Sequence, residues 1–160
     1  MRVYLQQAIE KADSFEDAYT AEVWLVDMSL RLAKYMEDEQ ERLHLLQTVH
    51  KEALRTGLQP ELVLSVIHVE SLFDRYAISS VGAQGLMQIM PFWRKEIGRE
   101  DDNLTELETN IRYGTTILSY YLKIEKGNLS RALARYNGSL GKTWYPERVM
   151  VRWERFWTVR

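Results

Sequence analysis

One stretch of the sequence, Pro60 to Trp93, limits what this chain can fold into, because an apolar helical pattern runs directly into a segment of small, turn-prone residues. Pro60 suits the first position of a helix, since its missing N–H would be unpaired there in any case. Apolar residues follow at spacings that place most of them on one helix face. They are Leu62, Val63, Val66, Ile67, Val69 and Phe73. The stretch therefore predicts an amphipathic helix that ends in a loop.

Glu70 lies in the middle of this apolar face, with Val66, Ile67 and Phe73 as its neighbours one turn away. Burying an ionised carboxylate is costly, and the usual result is a raised pKa that keeps the proton on the acid. A carboxylic acid that is still protonated near neutral pH can act as a general acid on a glycosidic oxygen. The helix alone also fits an alternative, in which Glu70 pairs with a buried arginine or reaches water at the rim.

The loop after the helix contains Gly82 and Gly85, which tolerate positive φ and let the backbone approach its neighbours closely, as a loop folded over a groove requires. Gln88 stands between apolar residues near the end of this loop, and its amide needs hydrogen-bond partners if it is buried. The hydroxyl and acetamide groups of a sugar would serve, and so would neighbouring backbone groups. The residues alone leave both interpretations open.

Three blocks of residues carry a resemblance to a known family. They are E-S-x-F at 70–73 with Ser79 and G-A-x-G-L-M-Q-x-M-P at 82–91, then N-I-R-x-G at 110–114, and Y-N-G at 136–138. In this order and at these gaps the blocks resemble the signature of the soluble lytic transglycosylase family, which belongs to the lysozyme-like superfamily. The resemblance covers roughly Glu52 to Val149 and leaves out the N-terminal third of the chain.

The resemblance implies a mainly α, lysozyme-like fold of about seven helices with an N-terminal two-helix extension. Helical patterns at 18–35 and 37–57 predict this extension, residues 1–57, as a brace packed on a catalytic domain of residues 58–160. Gly57 is expected to end the second helix. N-caps are predicted at Asp13 or Ser14, at Thr109 or Asn110, and at Ser130, with a short helix at 92–98 and a last helix beginning at Pro146. Gly114 is expected at a close approach of two helices.

The implied activity is cleavage of the β-1,4 bond between N-acetylmuramic acid and N-acetylglucosamine in peptidoglycan. Glu70 would protonate the leaving oxygen and then act as base on the muramyl C6 hydroxyl, which closes a 1,6-anhydro ring. The resemblance also implies that no cofactor and no metal are needed. It makes Asp74, one turn after Glu70, a structural residue rather than a second catalytic carboxylate.

The family's other site residues transfer to matching positions of this chain. Ser79 and Gln88 would hydrogen-bond the sugar or its acetamide, and Met87 would line the groove floor. Tyr136 would place its hydroxyl near Glu70. Asn137 would hold the Tyr136 segment or touch the substrate.

The chain departs from the family pattern in two places, which affects the predicted shape of the distal groove. Gly138-Ser139 stand where the family commonly has Ala-Gly, and Ile117-Leu118 replace its Tyr-Leu. Aromatic residues in the segment 143–146 could stack on sugar faces, although a place in the core is the first expectation for them, and Glu147 could approach the groove.

Two other functions remain open from the sequence. A hydrolytic muramidase would use the same acid and let water attack, and a non-catalytic glycan-binding or scaffold module would keep only the fold. The N-terminal helices could also dock on a cell-wall or secretion-machinery partner, and the sequence gives no oligomeric state.

Composition and residue spacing argue against several classes of partner and site. The net charge of −2 does not indicate a nucleic-acid partner, and the absence of cysteine excludes disulfides and Cys-based metal sites. His44, His50 and His68 do not have the spacing of a metal site. No apolar run approaches the length of a membrane span, and the first residues lack a signal-peptide pattern. The family resemblance nevertheless implies a periplasmic or cell-envelope location, with any export signal already removed from this sequence.

Overall fold

The chain is helical throughout the part that the computed structural model describes, residues 2–159. Eight α-helices and one π-helical turn occur in these residues, and the only strand-like pairing among them is two isolated bridges. The helices are α1 Arg2–Glu10, α2 Ala18–Leu32, α3 Glu39–Thr56, α4 Pro60–Ser71, α5 Trp93–Ile97, α6 Leu107–Ile124, α7 Leu129–Asn137 and α8 Trp144–Arg152, followed by the π-helical turn Trp153–Trp157. The prediction of a mainly α fold is confirmed, and α1 was not predicted.

Helix ends follow local rules that the sequence showed only in part. Pro60 begins α4, and Gly57 ends α3 in the left-handed conformation, both as predicted. Asp17, rather than Asp13 or Ser14, caps α2 by accepting a hydrogen bond from the Thr20 backbone N–H. Its carboxylate lies directly before the helix, where it satisfies an otherwise unpaired donor of the first turn.

The α2 cap was predicted too early in the chain, whereas the later N-caps were predicted a few residues too late. Glu106 precedes α6, so that Thr109 and Asn110 lie inside its first turn. Asn128, not Ser130, caps α7 by accepting from the Arg131 N–H. The last helix begins at Trp144, two residues before Pro146, because proline is tolerated anywhere in the first turn, where N–H groups have no helical partner.

Helix α4 forms the centre of the molecule. Every residue from Leu62 to Ile67 is at most 3% exposed, so α4 is buried on nearly all sides rather than on one face, as the amphipathic interpretation had it. It packs against α3, α8 and the π-helical turn. Because its N-terminal two thirds are enclosed, the residues at its C-terminal end are the ones that can meet a ligand.

The N-terminal helices share this core. Leu25 and Met28 of α2 and Leu46 and Val49 of α3 are completely buried in the same apolar cluster as the residues of α4. Helix α3 also packs on α6. The predicted domain bounds, 1–57 and 58–160, remain a prediction.

The C-terminal turn is fastened to both α2 and α4. Trp157 is completely buried, and its indole N–H donates to Nδ1 of His68 over 3.1 Å. Arg31 of α2 donates to the carbonyl oxygens of Phe156 and Thr158 at 3.1 and 2.7 Å. Burial, with the charges of Arg152 and Lys34, lowers the pKa of His68 to about 4, so this histidine is a neutral part of the packing.

None of the helices within residues 2–159 has both the length and the apolar character needed to span a membrane.

Candidate active site

Glu70 is the penultimate residue of α4, at the point where the buried helix reaches the surface of the core. Its side chain is partly buried, and Oε2 accepts a hydrogen bond of 2.7 Å from the hydroxyl of Tyr145. No cation within the described residues forms an ion pair with it. Burial therefore dominates and raises the pKa of Glu70 to about 7, although the Tyr145 hydrogen bond acts in the opposite direction. A large share of Glu70 holds its proton at neutral pH.

The chain turns sharply directly after Glu70. Leu72 and Phe73 both have left-handed backbone conformations, with φ of 50° and 63°, which cost non-glycine residues of the order of 1 kcal/mol each. Phe73 is 3% exposed and packs its ring near His68 and Trp157, and this burial offsets the strain. The buried ring thus holds the end of α4 in a conformation that ends the helix beside Glu70.

The loop after this turn folds back on itself through backbone hydrogen bonds. Gln84 pairs with Ile78 on one side and with Ile89 on the other, and Ser71 at the end of α4 donates its hydroxyl to the Leu86 carbonyl at 2.8 Å. These contacts fasten residues 77–89, here called the glycine loop, to the end of α4 that carries Glu70.

Asn110 of α6 holds the glycine loop from the other side. Its Oδ1 accepts from the Met87 N–H at 2.8 Å, and its Nδ2 donates to the carbonyls of Gln84 and Leu104 at 2.8 and 2.7 Å. One buried amide therefore bonds to three backbone groups outside the helices. The sequence predicts Asn110 as a helix cap and as part of the N-I-R-x-G block, but it gives no sign of these contacts with the glycine loop.

Two glycines make this close packing possible. Gly85 has φ of +78°, and a Cβ there would lie 2.6 Å from the Leu104 carbonyl oxygen and would overlap the Asn110 amide. A Cβ on Gly114 would overlap the side chain of Met87, 2.6 Å from its Cε. The nearest neighbour of Gly114 is thus a methionine of the glycine loop, whereas the sequence predicted an approach of another helix here.

The polar residues predicted to bind sugar contact the loop backbone in this ligand-free structure. The amide of Gln88 donates to the carbonyls of Ala77 and Gly85 at 3.1 and 2.9 Å, and the Ser79 hydroxyl accepts from the Ala83 N–H at 3.0 Å. Both side chains are partly exposed. Their contact with substrate stays a prediction.

Met87 and Tyr136 meet below the glycine loop. The Met87 side chain is fully buried, and the Tyr136 hydroxyl donates to its carbonyl oxygen at 2.6 Å. Burial and the charge of nearby Glu70 raise the pKa of Tyr136 well above its ordinary value, so this hydroxyl stays protonated. Asn137 donates its amide to the Ser139 hydroxyl at 3.0 Å and holds the turn after α7. The predicted substrate contacts of these three residues remain predictions.

Tyr145 is the residue that sequence reasoning missed. It is 1% exposed, as expected for an aromatic of the core, and its hydroxyl reaches the Glu70 carboxyl group. The same expectation is wrong for Trp144, which is 46% exposed. A buried tyrosine hydroxyl almost always needs a partner, which was the available signal. Burial first, and then the charge of Glu70, raises the pKa of Tyr145 well above its ordinary value, so it serves Glu70 as a hydrogen-bond donor.

No second carboxylate joins Glu70 in the described residues. Asp74 is exposed, and its Oδ1 accepts from the Tyr76 N–H at 2.9 Å, which stabilises its own turn. Glu147 is exposed on α8.

A cavity of about 680 Å³ lies between α3 and the first turn of α6, and Glu70 is not among its lining residues. Within residues 2–159, no cluster of three or more histidine, aspartate or glutamate side chains could hold a metal ion.

Comparison with known proteins gives one consistent family. Residues 47–149 match the family model described as the transglycosylase SLT domain. The membrane-bound lytic murein transglycosylase C of Actinobacillus pleuropneumoniae serotype 5b is 39% identical over 83 residues, which are 46% of this chain and 23% of that protein. The protein of the same name from Yersinia pestis strain Pestoides F is 31% identical over 112 residues, 60% of this chain and 31% of its own length.

A solved structure gives the same result at the level of the fold. The X-ray structure of an inactive Glu-to-Gln mutant of the lytic transglycosylase Slt from Pseudomonas aeruginosa aligns with 83% of this chain at a TM-score of 0.55 and 30% sequence identity. The aligned part is 22% of the Pseudomonas chain. This chain therefore spans about a quarter of the length of the relatives it resembles.

Proposed function

Because this chain belongs to the transglycosylase SLT domain family, we propose that it is a peptidoglycan lytic transglycosylase in which Glu70 acts first as acid and then as base. The family assignment confirms the resemblance seen in the sequence. The observation that carries the proposed mechanism is a partly buried glutamic acid with a pKa near 7, no counter-ion among the described residues, and one hydroxyl donor.

In the first step, protonated Glu70 donates its proton to the glycosidic oxygen between N-acetylmuramic acid and N-acetylglucosamine as the bond to C1 breaks. The 2-acetamido carbonyl of the muramyl sugar stabilises C1, so that no second protein carboxylate is needed. The solvent-facing, turn-stabilising position of Asp74 fits this single-carboxylate chemistry. Tyr145 stabilises the Glu70 anion that is left, since a hydrogen bond to the charged form favours it.

In the second step, the Glu70 carboxylate takes the proton of the muramyl C6 hydroxyl, whose oxygen attacks C1. The products are a 1,6-anhydromuramyl end and an N-acetylglucosamine end with a free 4-hydroxyl group, and Glu70 has regained its proton. A pKa near 7 suits both steps, because the group must give and take a proton with similar ease.

The relatives support this proposal. Two are named lytic murein transglycosylases, and the inactive Pseudomonas protein carries glutamine in place of a glutamate. Since the substrate polymer lies in the cell envelope, and those two relatives are named membrane-bound, we propose an envelope location for this chain as well.

Digestion of purified peptidoglycan sacculi, followed by mass spectrometry of the released fragments, tests the proposal. The wild-type protein should release fragments with anhydro ends, which are one water lighter than reducing ends. Glu70→Gln should lower the rate by roughly a thousandfold, since general acid–base catalysis contributes factors of about 10²–10⁴. Asp74→Asn is the matched control and should keep nearly the full rate.

Three other results would each contradict a part of the proposal. Release of reducing ends by the wild type would show a hydrolytic muramidase. Equal release by the wild type and Glu70→Gln would remove Glu70 from the mechanism. Binding to sacculi with no release would show a non-catalytic glycan-binding module.

A further inference from the structure

Beside the candidate active site, the structure exposes an aromatic side chain that the proposed mechanism does not use. Trp144, the first residue of α8, is 46% exposed, whereas Tyr145 directly after it is buried and bonds to Glu70. The two rings meet edge to face, with centroids 5.9 Å apart and planes at 85°. Tyr145 therefore contacts both the exposed indole and the Glu70 carboxyl group.

A cation lies over the same indole. The Arg148 guanidinium carbon is 5.2 Å from the centre of a Trp144 ring, one turn further along α8. Arg148 is exposed, and within residues 2–159 it forms neither an ion pair nor a hydrogen bond, although Glu147 precedes it in the sequence. Its N–H groups therefore have no partner within the described residues and remain free for a ligand. Lys142, also exposed, adds positive charge just before α8.

An exposed indole and an unpaired guanidinium together have a definite ligand chemistry. Aromatic faces pack against apolar surfaces, including the C–H groups on the face of a pyranose ring, and the planar guanidinium forms paired hydrogen bonds with carboxylates. Trp144 lies next to the residue that contacts the candidate catalytic acid.

We propose that Trp144 and Arg148 form a sugar-binding platform at the rim of the active site, on which a pyranose ring of the glycan strand packs while Arg148 binds a carboxylate of the muramyl substituent. This inference rests on the proposed function for the identity of the glycan. The carboxylate belongs either to the lactyl group of the muramyl sugar or to the peptide attached there, and both present the same chemistry to Arg148.

Calorimetric binding to the Glu70→Gln protein tests the platform without interference from turnover. The probes are a tetramer of N-acetylglucosamine, which has no carboxylate, and a muramic-acid-containing tetrasaccharide with and without its peptide. Trp144→Ala should weaken binding of all three probes by about tenfold, in keeping with the loss of one aromatic contact. Trp144→Phe, which keeps an aromatic face, should restore most of the affinity.

Arg148→Gln should weaken only the muramyl probes, by about fivefold, and leave the neutral tetramer unchanged. An effect confined to the peptide-free probe assigns the carboxylate to the lactyl group, and an effect confined to the peptide-bearing probe assigns it to the peptide. Tyr19→Ala, which removes an aromatic residue that is 76% exposed on α2, is the control and should bind like the parent.

Two results would contradict the proposed platform. One is that Trp144→Ala binds all probes as tightly as Tyr19→Ala does. The other is that Arg148→Gln weakens binding of the neutral tetramer as much as binding of the muramyl probes. Either result would leave the proposed function intact, because the parent would still bind glycans. If the Glu70→Gln parent bound none of the probes, the glycan substrate itself, and with it the proposed function, would be rejected. Thermal unfolding of each variant separates loss of the platform from loss of the fold.

Discussion

The glycine loop of residues 77–89 and the C-terminal segment of residues 138–157 flank the same end of α4, but they are held in different ways. The glycine loop depends on polar side chains that bond to backbone groups, such as Asn110 and Gln88. The C-terminal segment depends on buried rings, above all Tyr145 and Trp157. Satisfied hydrogen bonds hold the first region in place, and buried apolar surface holds the second.

The two regions also contribute different things: the glycine loop shapes the backbone beside Glu70, and the C-terminal segment supplies the group that contacts the Glu70 carboxyl. Most residues that carry the family resemblance build the glycine loop and its support on α6. The group that touches the Glu70 carboxyl, Tyr145, comes from the segment next to the place where the chain departs from the family pattern. A residue can therefore belong to a motif because it shapes the backbone, while the hydrogen bond to the candidate acid comes from outside the motif.

The largest expected effect is on the glycine loop. Gly85→Ala should lower the free energy of unfolding by about 3 kcal/mol, since the new methyl group would overlap the Asn110 amide and the Leu104 carbonyl at a positive φ. Urea denaturation measures the change.

Gly82→Ala is the matched control for this variant. Gly82 has φ of +90°, but no atom lies within 4 Å of the position a Cβ would take. Only the conformational strain remains, and the loss should be about 1 kcal/mol. Equal losses in the two variants would show that backbone strain, and not the packing of Asn110, fixes the loop.

A smaller effect on the free energy of unfolding is expected from Glu70, which forms no ion pair with either region. Its pKa is raised in the folded protein to about 7 from an ordinary value of 4.5, so its protonated form is favoured by folding. Its contribution to stability is complete below pH 4.5 and is lost as the pH rises through 7. Glu70→Gln has no such loss.

The free energy of unfolding of Glu70→Gln relative to wild type should therefore rise by about 2 kcal/mol between pH 4 and pH 8, a value reduced from the full shift because the side chain is partly exposed. Denaturation curves at the two pH values give this difference. A constant difference between the two proteins would contradict the raised pKa.

The smallest effects are expected from the two tyrosines near Glu70, Tyr145 and Tyr136, and they differ between the two. Tyr145→Phe removes the hydrogen bond that lowers the pKa of Glu70, so the fall of activity on the alkaline side should move up by about one pH unit, with a rate near neutral pH about tenfold lower. Tyr136→Phe instead leaves the Met87 carbonyl without its partner and should cost about 1 kcal/mol of stability with a smaller shift of the pH profile. Identical pH profiles for Tyr145→Phe and Tyr136→Phe would contradict the claim that the Tyr145 hydroxyl, and not the Tyr136 hydroxyl, sets the pKa of Glu70.

Much of the fold follows from the sequence, because its signals are local. The proline that begins α4 and the glycine that ends α3 set helix boundaries through their own backbone preferences. The apolar pattern predicts α4 correctly, but its burial on nearly all sides depends on α8 and the π-helical turn, which lie far along the chain. Periodicity cannot show how many neighbours a helix has.

Glu70 could be singled out from the sequence because its place in an apolar pattern coincides with the E-S-x-F block of the family resemblance. The apolar pattern alone also fitted an ion pair or a position at the rim. The contact of Glu70 with Tyr145 joins residues that are 75 positions apart, and no local pattern indicates it. Asn110 is similar, since its amide bonds to a loop 23 residues earlier. Such contacts are set by the packing of α6 and α8 around α4.

The central claim is that Glu70 is an isolated acid that keeps its proton close to neutral pH. Carbon-13 NMR of the side-chain carboxyl groups, with Glu70→Gln used to assign the signal, measures this directly. A titration with a midpoint near pH 7 is the expected result. A midpoint near 4.5 would show a carboxylate that is already ionised at neutral pH, and Glu70 could not be the proton donor.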